Sequence, residues 1–306
     1  VTKISTVRAE GPWTHSNIHA RGMSFHVVIA GDEPGRPTVI LLHDFPLHWW
    51  SWRHQIAALA HGGYRVLAMD LRGMGGSDLQ PGPVDLVELA EDVRAVASAT
   101  GTTSYTLVGS GVGGAVAWTL AHMAPGELES VVTIAAPHPQ TRRRRAASRA
   151  IAASRVDREL GMPLIRSRGL RDGTLVRAVL RTWAAPEHAE HMAEISEQYE
   201  VPLSRVFSAN AALETQKAAR TPSSAARKLF ERPVTVPLLS VRGGRDGRIN
   251  PQAYSGDTTF ARRSVMHVEI PGAGHFPNEE TPDEVTKILL DHLFEVTHQH
   301  PRDSHS

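Results

Sequence analysis

The stretch YTLVGSGVGGAVAW, from Tyr105 to Trp118, has the form of a strand, a sharp turn and a helix. A turn of the pattern Gly-x-nucleophile-x-Gly lifts its central side chain above a sheet, and the flanking glycines allow close packing. Gly109 and Gly113 are the flanking pair here, and the central position is Gly111. Glycine carries no atom that can attack. A non-glycine residue held at positive φ on such an apex costs about 1–3 kcal/mol, and glycine relieves that strain. The nearest hydroxyl belongs to Ser110. As a nucleophile it would need small residues two positions to either side, where Val108 and Val112 stand. It also precedes the apex, so it reads as a small polar residue at a strand end.

Other reactive types are sparse. His188 and His191 stand three apart in a helical stretch, but no third ligand follows, so a surface pair is expected and no metal. Arg142, Arg143, Arg144 and Arg145 form a basic run that could meet a phosphate, a lipid headgroup or the acidic patch of a protein partner. A solvated helix face is the alternative. The chain has no cysteine, which excludes disulfides and thiolate chemistry. A net charge of +1 gives no general attraction to nucleic acid. No apolar run is long enough to span a bilayer and no signal peptide is evident, so a soluble cytoplasmic protein is expected. No cofactor is expected.

The elements that must position this turn are legible as apolar runs. Thr38 to His43, Tyr64 to Asp70, Tyr105 to Gly109 and Leu128 to Pro137 are continuous and rich in β-branched residues. Such runs fit strands of a parallel sheet buried on both faces. Helical patterns lie between them, which predicts an α/β fold with helices on both faces of the sheet. Between 138 and 232 no strand is evident, and several short helices are expected. The alternation resumes at Val236 to Gly243 and Ser264 to Ile270. The expected organisation is therefore a core of residues 1–137 and 233–306, interrupted by a helical cap at 138–232.

With LLHDFPLHWWSWRHQI, DLRGMGGSD, AAPHP and GAGHFPNEETPDEV added to the turn, the chain resembles an α/β-hydrolase. The resemblance is to the epoxide hydrolase branch, including its actinobacterial members, with glycine at the nucleophile position. It implies an α/β-hydrolase fold, a mostly parallel sheet with an inserted helical cap. It implies Asp246 and His275 as the retained acid and base, the carboxylate orienting the imidazole. It implies an oxyanion hole from the N–H groups of Phe45 and Val112. Asp44 stands where the branch has glycine. Turned toward the hole, its carboxylate would oppose a developing oxyanion; turned away, it would do nothing. The branch uses two cap tyrosines as donors to the epoxide oxygen, and Tyr199 alone stands in this cap. Trp49, with Trp50 and Trp52, would line or buttress the pocket.

Two readings follow. One is an epoxide hydrolase-like protein that has lost covalent hydrolysis and keeps a capped pocket for a small hydrophobic ligand, or a partner-binding role. The other is a hydrolase of altered mechanism, with water activated by His275 and Asp246 attacking an epoxide or activated ester. In either case, incubation with such reagents should leave no adduct on Gly111 or Ser110. A stoichiometric adduct mapped to Ser110 by mass spectrometry would overturn this register of the turn.

Overall fold

A computed structural model describes residues 6–79, 82–141 and 154–299. Its centre is an eight-stranded sheet in the order β1-β2-β4-β3-β5-β6-β7-β8. The strands are β1 Thr14–Ala20, β2 Met23–Ala30, β3 Thr38–Leu42, β4 Arg65–Met69, β5 Tyr105–Ser110, β6 Leu128–Ile134, β7 Leu238–Gly243 and β8 Val265–Ile270. From β4 to β8 every neighbouring pair is parallel; β1 and β2 pair antiparallel with each other, and β2 pairs antiparallel with β4. The apolar runs of the sequence supply the six parallel strands. The hairpin β1–β2 has no counterpart among the expected strands. Its two-residue turn places Arg21 at φ 50 and Gly22 at φ 73, the positive values that tight hairpin turns require.

Alternation along each parallel strand sends neighbours to opposite faces. Leu107 packs on one face with α2 (Leu86–Ala99) and α3 (Val112–Met123), while Val108 packs on the other. That second face is covered by α1 (Arg53–His61) and the C-terminal helix Pro282–Gln299. Helix α2 starts on a capping box in which Asp85 and Glu88 satisfy each other's backbone N–H groups. Helix α3 has no side-chain cap and starts directly at Gly111; its residues from Val112 to His122 are all buried.

Between β6 and β7 the described residues form helices and no strand. These are α4 Arg155–Gly161, α5 Pro163–Arg171, α6 Thr174–Trp183, α7 Ala189–Glu194, α8 Glu197–Ser204, α9 Ser208–Arg220 and α10 Ser224–Leu229. Strand β6 stops at Ile134, short of the expected Pro137, because Ala135 turns to φ 51. The basic run Arg142 to Arg145 lies outside the described residues.

A buried polar cluster anchors the chain where it leaves the core. The His138 N–H donates to Asp257 Oδ1 at 2.8 Å, and the Ser240 hydroxyl donates to Asp257 Oδ2 at 3.1 Å. His122 and His138 meet at 3.0 Å. Burial pushes the Asp257 carboxyl up to about 7, against the pull of its two donors. A raised carboxyl pKa favours the folded state fully below the unfolded value near 3.8, and this stabilisation is lost as pH rises to about 7. The depressed values of His122 and His138, caused chiefly by burial, act in the opposite sense at acid pH. Asp257→Asn removes the charge, keeps an acceptor for the His138 N–H, and lets its Nδ2 donate to the Ser240 hydroxyl in place of the present bond. Relative to wild type it should gain stability between pH 5 and pH 8, by on the order of a few kcal/mol. Urea denaturation of both proteins at the two pH values measures this, and a difference independent of pH would refute it.

Candidate active site

The register of the sheet brings two loops together. Leu42 of β3 pairs with Gly109 of β5. Asp44 and Gly111 each lie two residues beyond that pair, so they sit side by side above the C-terminal edge. This is where open α/β sheets place their ligands. Gly111 has φ 48 and ψ −104, and its N–H donates to the Ile134 carbonyl at 2.9 Å. Its neighbours leave no slack: a Cβ on Gly109 would lie 2.2 Å from the Gly113 carbonyl oxygen, and one on Gly113 would lie 2.4 Å from that of Leu42.

The apex is not empty. A Cβ built on Gly111 would fall 1.9 Å from Asp44 Cγ and 2.0 and 2.1 Å from its two carboxylate oxygens. The Asp44 carboxylate thus fills the volume into which an elbow side chain would project. Its Oδ1 accepts the Val112 N–H at 2.7 Å. Its Oδ2 lies 3.3 Å from His275 Nε2 and has no well-formed hydrogen bond among the described residues. On the far side of the imidazole, Nδ1 meets Asp246 Oδ2 at 2.8 Å. Asp246 follows β7 and His275 follows β8, so all three groups come from loops at one end of the sheet.

Each group is tied down by backbone contacts. Asp246 Oδ1 accepts the N–H groups of Arg248 at 2.8 Å and Ile249 at 3.2 Å. His43 Nε2 accepts the Leu71 N–H at 3.1 Å, which leaves Nδ1 to donate to the Asp44 carbonyl at 2.9 Å. The His43 carbonyl in turn accepts the Gly113 N–H at 3.1 Å, joining the loop of Asp44 to the start of α3. The loop of His275 is fastened to the helical segment between β6 and β7. Its N–H donates to the Trp183 carbonyl at 2.9 Å. The buried Glu280 carboxylate accepts N–H groups from Gly274, Phe276 and Ala185, each at 2.8 Å.

Charge is shared across the site. Burial favours neutral carboxyls, but His275 overrides it at both Asp44 and Asp246, aided at Asp44 by the Val112 N–H and the charge of Arg248. Both carboxyls are held below the usual carboxylate range. Burial also works against a charged imidazole, but Asp246 and Asp44 together raise the His275 pKa. The imidazole thus sits between two carboxylates that both favour its charged form. The Arg248 guanidinium lies 3.3 Å from the centre of the Trp183 ring, and that ring stands edge-on to His275 with centroids 5.5 Å apart.

Several expected roles meet different surroundings. The space above Gly111 holds the Asp44 carboxylate. The Val112 N–H expected in an open oxyanion hole is taken by that same group. Phe45 is buried beside it, its ring 6.3 Å from that of Trp183. Ser110 is fully buried, and its hydroxyl has no hydrogen-bond partner among the described residues. Tyr199 is fully buried on α8, and its hydroxyl donates to Glu279, which is also held by Arg53 at 2.7 Å. Its hydroxyl is committed there and not to a substrate oxygen. Trp49 buttresses: its ring packs against Trp13, His15 and His26, and its indole N–H donates to the Val7 carbonyl at 3.0 Å. His188 and His191 belong to no potential metal-binding group among the described residues. Glu279, Glu280, Trp183 and Arg248 were not singled out from the sequence. The first two lie within the histidine-bearing segment GAGHFPNEETPDEV, where paired carboxylates just after the histidine were the available signal.

Comparison with known proteins agrees with this architecture. Residues 37–282 match the family model described as alpha/beta hydrolase fold, and the chain belongs to that family. It is 30% identical over 303 residues to Epoxide hydrolase 3 of Xenopus tropicalis, covering 95% of this chain and 80% of that protein. It is 42% identical over 127 residues to Epoxide hydrolase B of Mycobacterium tuberculosis, covering 40% of this chain and 35% of that one. The crystal structure of Epoxide Hydrolase A from Mycobacterium thermoresistibile superposes with a TM-score of 0.75 at 25% identity, over 92% of this chain and 98% of that one. No helix among the described residues is long and apolar enough to cross a membrane.

The shared volume makes a stability prediction. Gly111→Ala must accept positive φ, at about 1–2 kcal/mol, and must also displace the Asp44 carboxylate. A total loss above about 2 kcal/mol is expected. Adding Asp44→Gly should return the steric part, so the two changes should be strongly non-additive. Urea denaturation of the four proteins in this cycle measures the coupling; additive changes would contradict the packing described.

Proposed function

We propose that the protein is a hydrolase of small electrophilic molecules, with epoxides as the leading class, in which His275 and Asp246 form the base. One observation carries this reading. A buried imidazole is held 2.8 Å from Asp246 and faces a second carboxylate at 3.3 Å, at the apex of a hydrolase turn. A base of this kind contributes about 10²–10⁴-fold by taking a proton from water. The names of the related proteins support epoxides as the class to test first. Activated esters are the second class, because they too expose an electrophilic carbon.

A protein without turnover, serving to bind a small hydrophobic ligand or a partner, is the reading that a bare Gly111 alone favours. The Asp44 carboxylate in that volume removes its main support, since a charged group at the apex suits a reactive site better than an apolar ligand. Asp44, Asp246 and His275 are all buried.

The test is turnover of a panel containing styrene oxide, glycidyl ethers and p-nitrophenyl esters. His275→Ala should lower any activity by about 10²-fold or more. Asp246→Asn should also lower it, by removing the group that orients the imidazole. No turnover of any member by folded wild-type protein, or turnover unaffected by His275→Ala, would dismiss the reading.

A further inference from the structure

Resting on that reading, we propose that Asp44 is the nucleophile: the attacking carboxylate has moved from the elbow to the loop after β3. The argument is geometric. The Asp44 carboxylate lies where a side chain on residue 111 would begin, within 2.1 Å of an ideal Cβ. Its two oxygens are in different states. Oδ1 is bound by the Val112 N–H at 2.7 Å, whereas Oδ2 has no well-formed hydrogen bond among the described residues. Oδ2 is the less tightly held oxygen, and it stands 3.3 Å from His275 Nε2, the atom that must later activate water. The bare apex is then a requirement of the arrangement, because any side chain at 111 would occupy the same volume.

The chemistry balances in two steps. In the first, Asp44 Oδ2 forms a bond to an epoxide carbon as the ring carbon–oxygen bond breaks. The bonding pair leaves with the ring oxygen, which takes the proton held by His275 and becomes a hydroxyl. The products are an alkyl ester on Asp44 and a neutral imidazole. In the second, that imidazole removes a proton from water, and the hydroxide adds to Asp44 Cγ. Negative charge develops on Oδ1, where the Val112 N–H already points. Collapse breaks the Cγ–Oδ2 bond; the leaving alkoxide, which carries Oδ2, takes the proton of the newly added hydroxyl and becomes the second hydroxyl of the diol, leaving a carboxylate on Asp44 and an imidazolium at His275. The net reaction is epoxide plus water to diol. Alkylation removes one of the two negative charges that favour the imidazolium, so the first step itself prepares His275 to act as a base. The chain's one cap tyrosine, Tyr199, is not required as a proton donor in this sequence.

A single turnover of styrene oxide by excess wild-type enzyme in ¹⁸O-water tests this without a variant. A nucleophilic Asp44 gives its own oxygen to the product, so the first diol should be unlabelled. Repeated turnover should then place ¹⁸O in the peptide containing Asp44. A first diol that carries ¹⁸O, with that peptide unlabelled, would overturn the proposal and leave the hydrolase reading standing. Wild-type protein with neither turnover nor adduct would end both. Asp44→Asn should lose about 10⁴–10⁶ in turnover, the range for removing a triad acid or nucleophile; turnover within tenfold of wild type overturns the proposal. In the exchange variant Asp44→Gly with Gly111→Asp, the label should move to residue 111. Turnover in that variant with no label at 111 counts against the proposal.

Discussion

One volume above the sheet admits one carboxylate, and much of the site follows from which residue supplies it. Asp44 fills the space over Gly111, accepts the first N–H of α3 and faces His275. An uncapped helix start presents unsatisfied N–H groups and a partial positive charge, so it favours an anion. Helix α3 starts at Gly111 without a side-chain cap, and Asp44 satisfies the first of those donors from a neighbouring loop. The same contact therefore caps a helix and orients the Asp44 carboxylate. The adjacency behind it is set by strand pairing, because Leu42 and Gly109 are in register.

Burying three ionisable groups together is expensive unless each charge is paired and the remaining lone pairs are satisfied. The site meets that demand with backbone N–H groups at Asp246, an imidazole shared between two carboxylates, and Arg248 nearby on the Trp183 ring. The cap takes part in this order. Glu280 draws N–H groups from both sides of the boundary, two from the His275 loop and one from Ala185 after α6. The position of His275 is thus coupled to the seating of the helices between β6 and β7, and a change at Glu280 would reach His275 through its loop.

The legible parts of the sequence were those that depend on local pattern. Continuous β-branched runs marked the six parallel strands, since both faces of each are covered. The hairpin β1–β2 escaped because THSNIHA is a half-exposed edge strand whose polar residues hide its period. Loop motifs located Asp246 and His275, and their pairing follows from the strands that carry them. The orientation of Asp44 was not legible, because it depends on how β3 and β5 are registered, a contact between residues 68 positions apart. Tyr199 shows the same limit. Its presence in the cap was plain, but its partner Glu279 lies 80 residues away. The roles of Trp49 as a buttress and of Trp183 as a wall beside His275 likewise come from packing between distant segments.

The exchange of one carboxylate between two loops also constrains how such a protein can change by single substitutions. Suppose a related arrangement carries aspartate at the apex and glycine after the histidine of the β3 loop. A stepwise path from that arrangement to this one has two possible intermediates. One has both carboxylates, whose atoms would lie about 2 Å apart in unrelaxed geometry. The other has two glycines and no carboxylate at all. The first is sterically frustrated and the second is chemically silent, so the two arrangements are separated by a gap that single steps cross only through a disabled protein. A reading of either position alone misses that kind of paired replacement, because what the two positions share is one volume that a single carboxylate can fill.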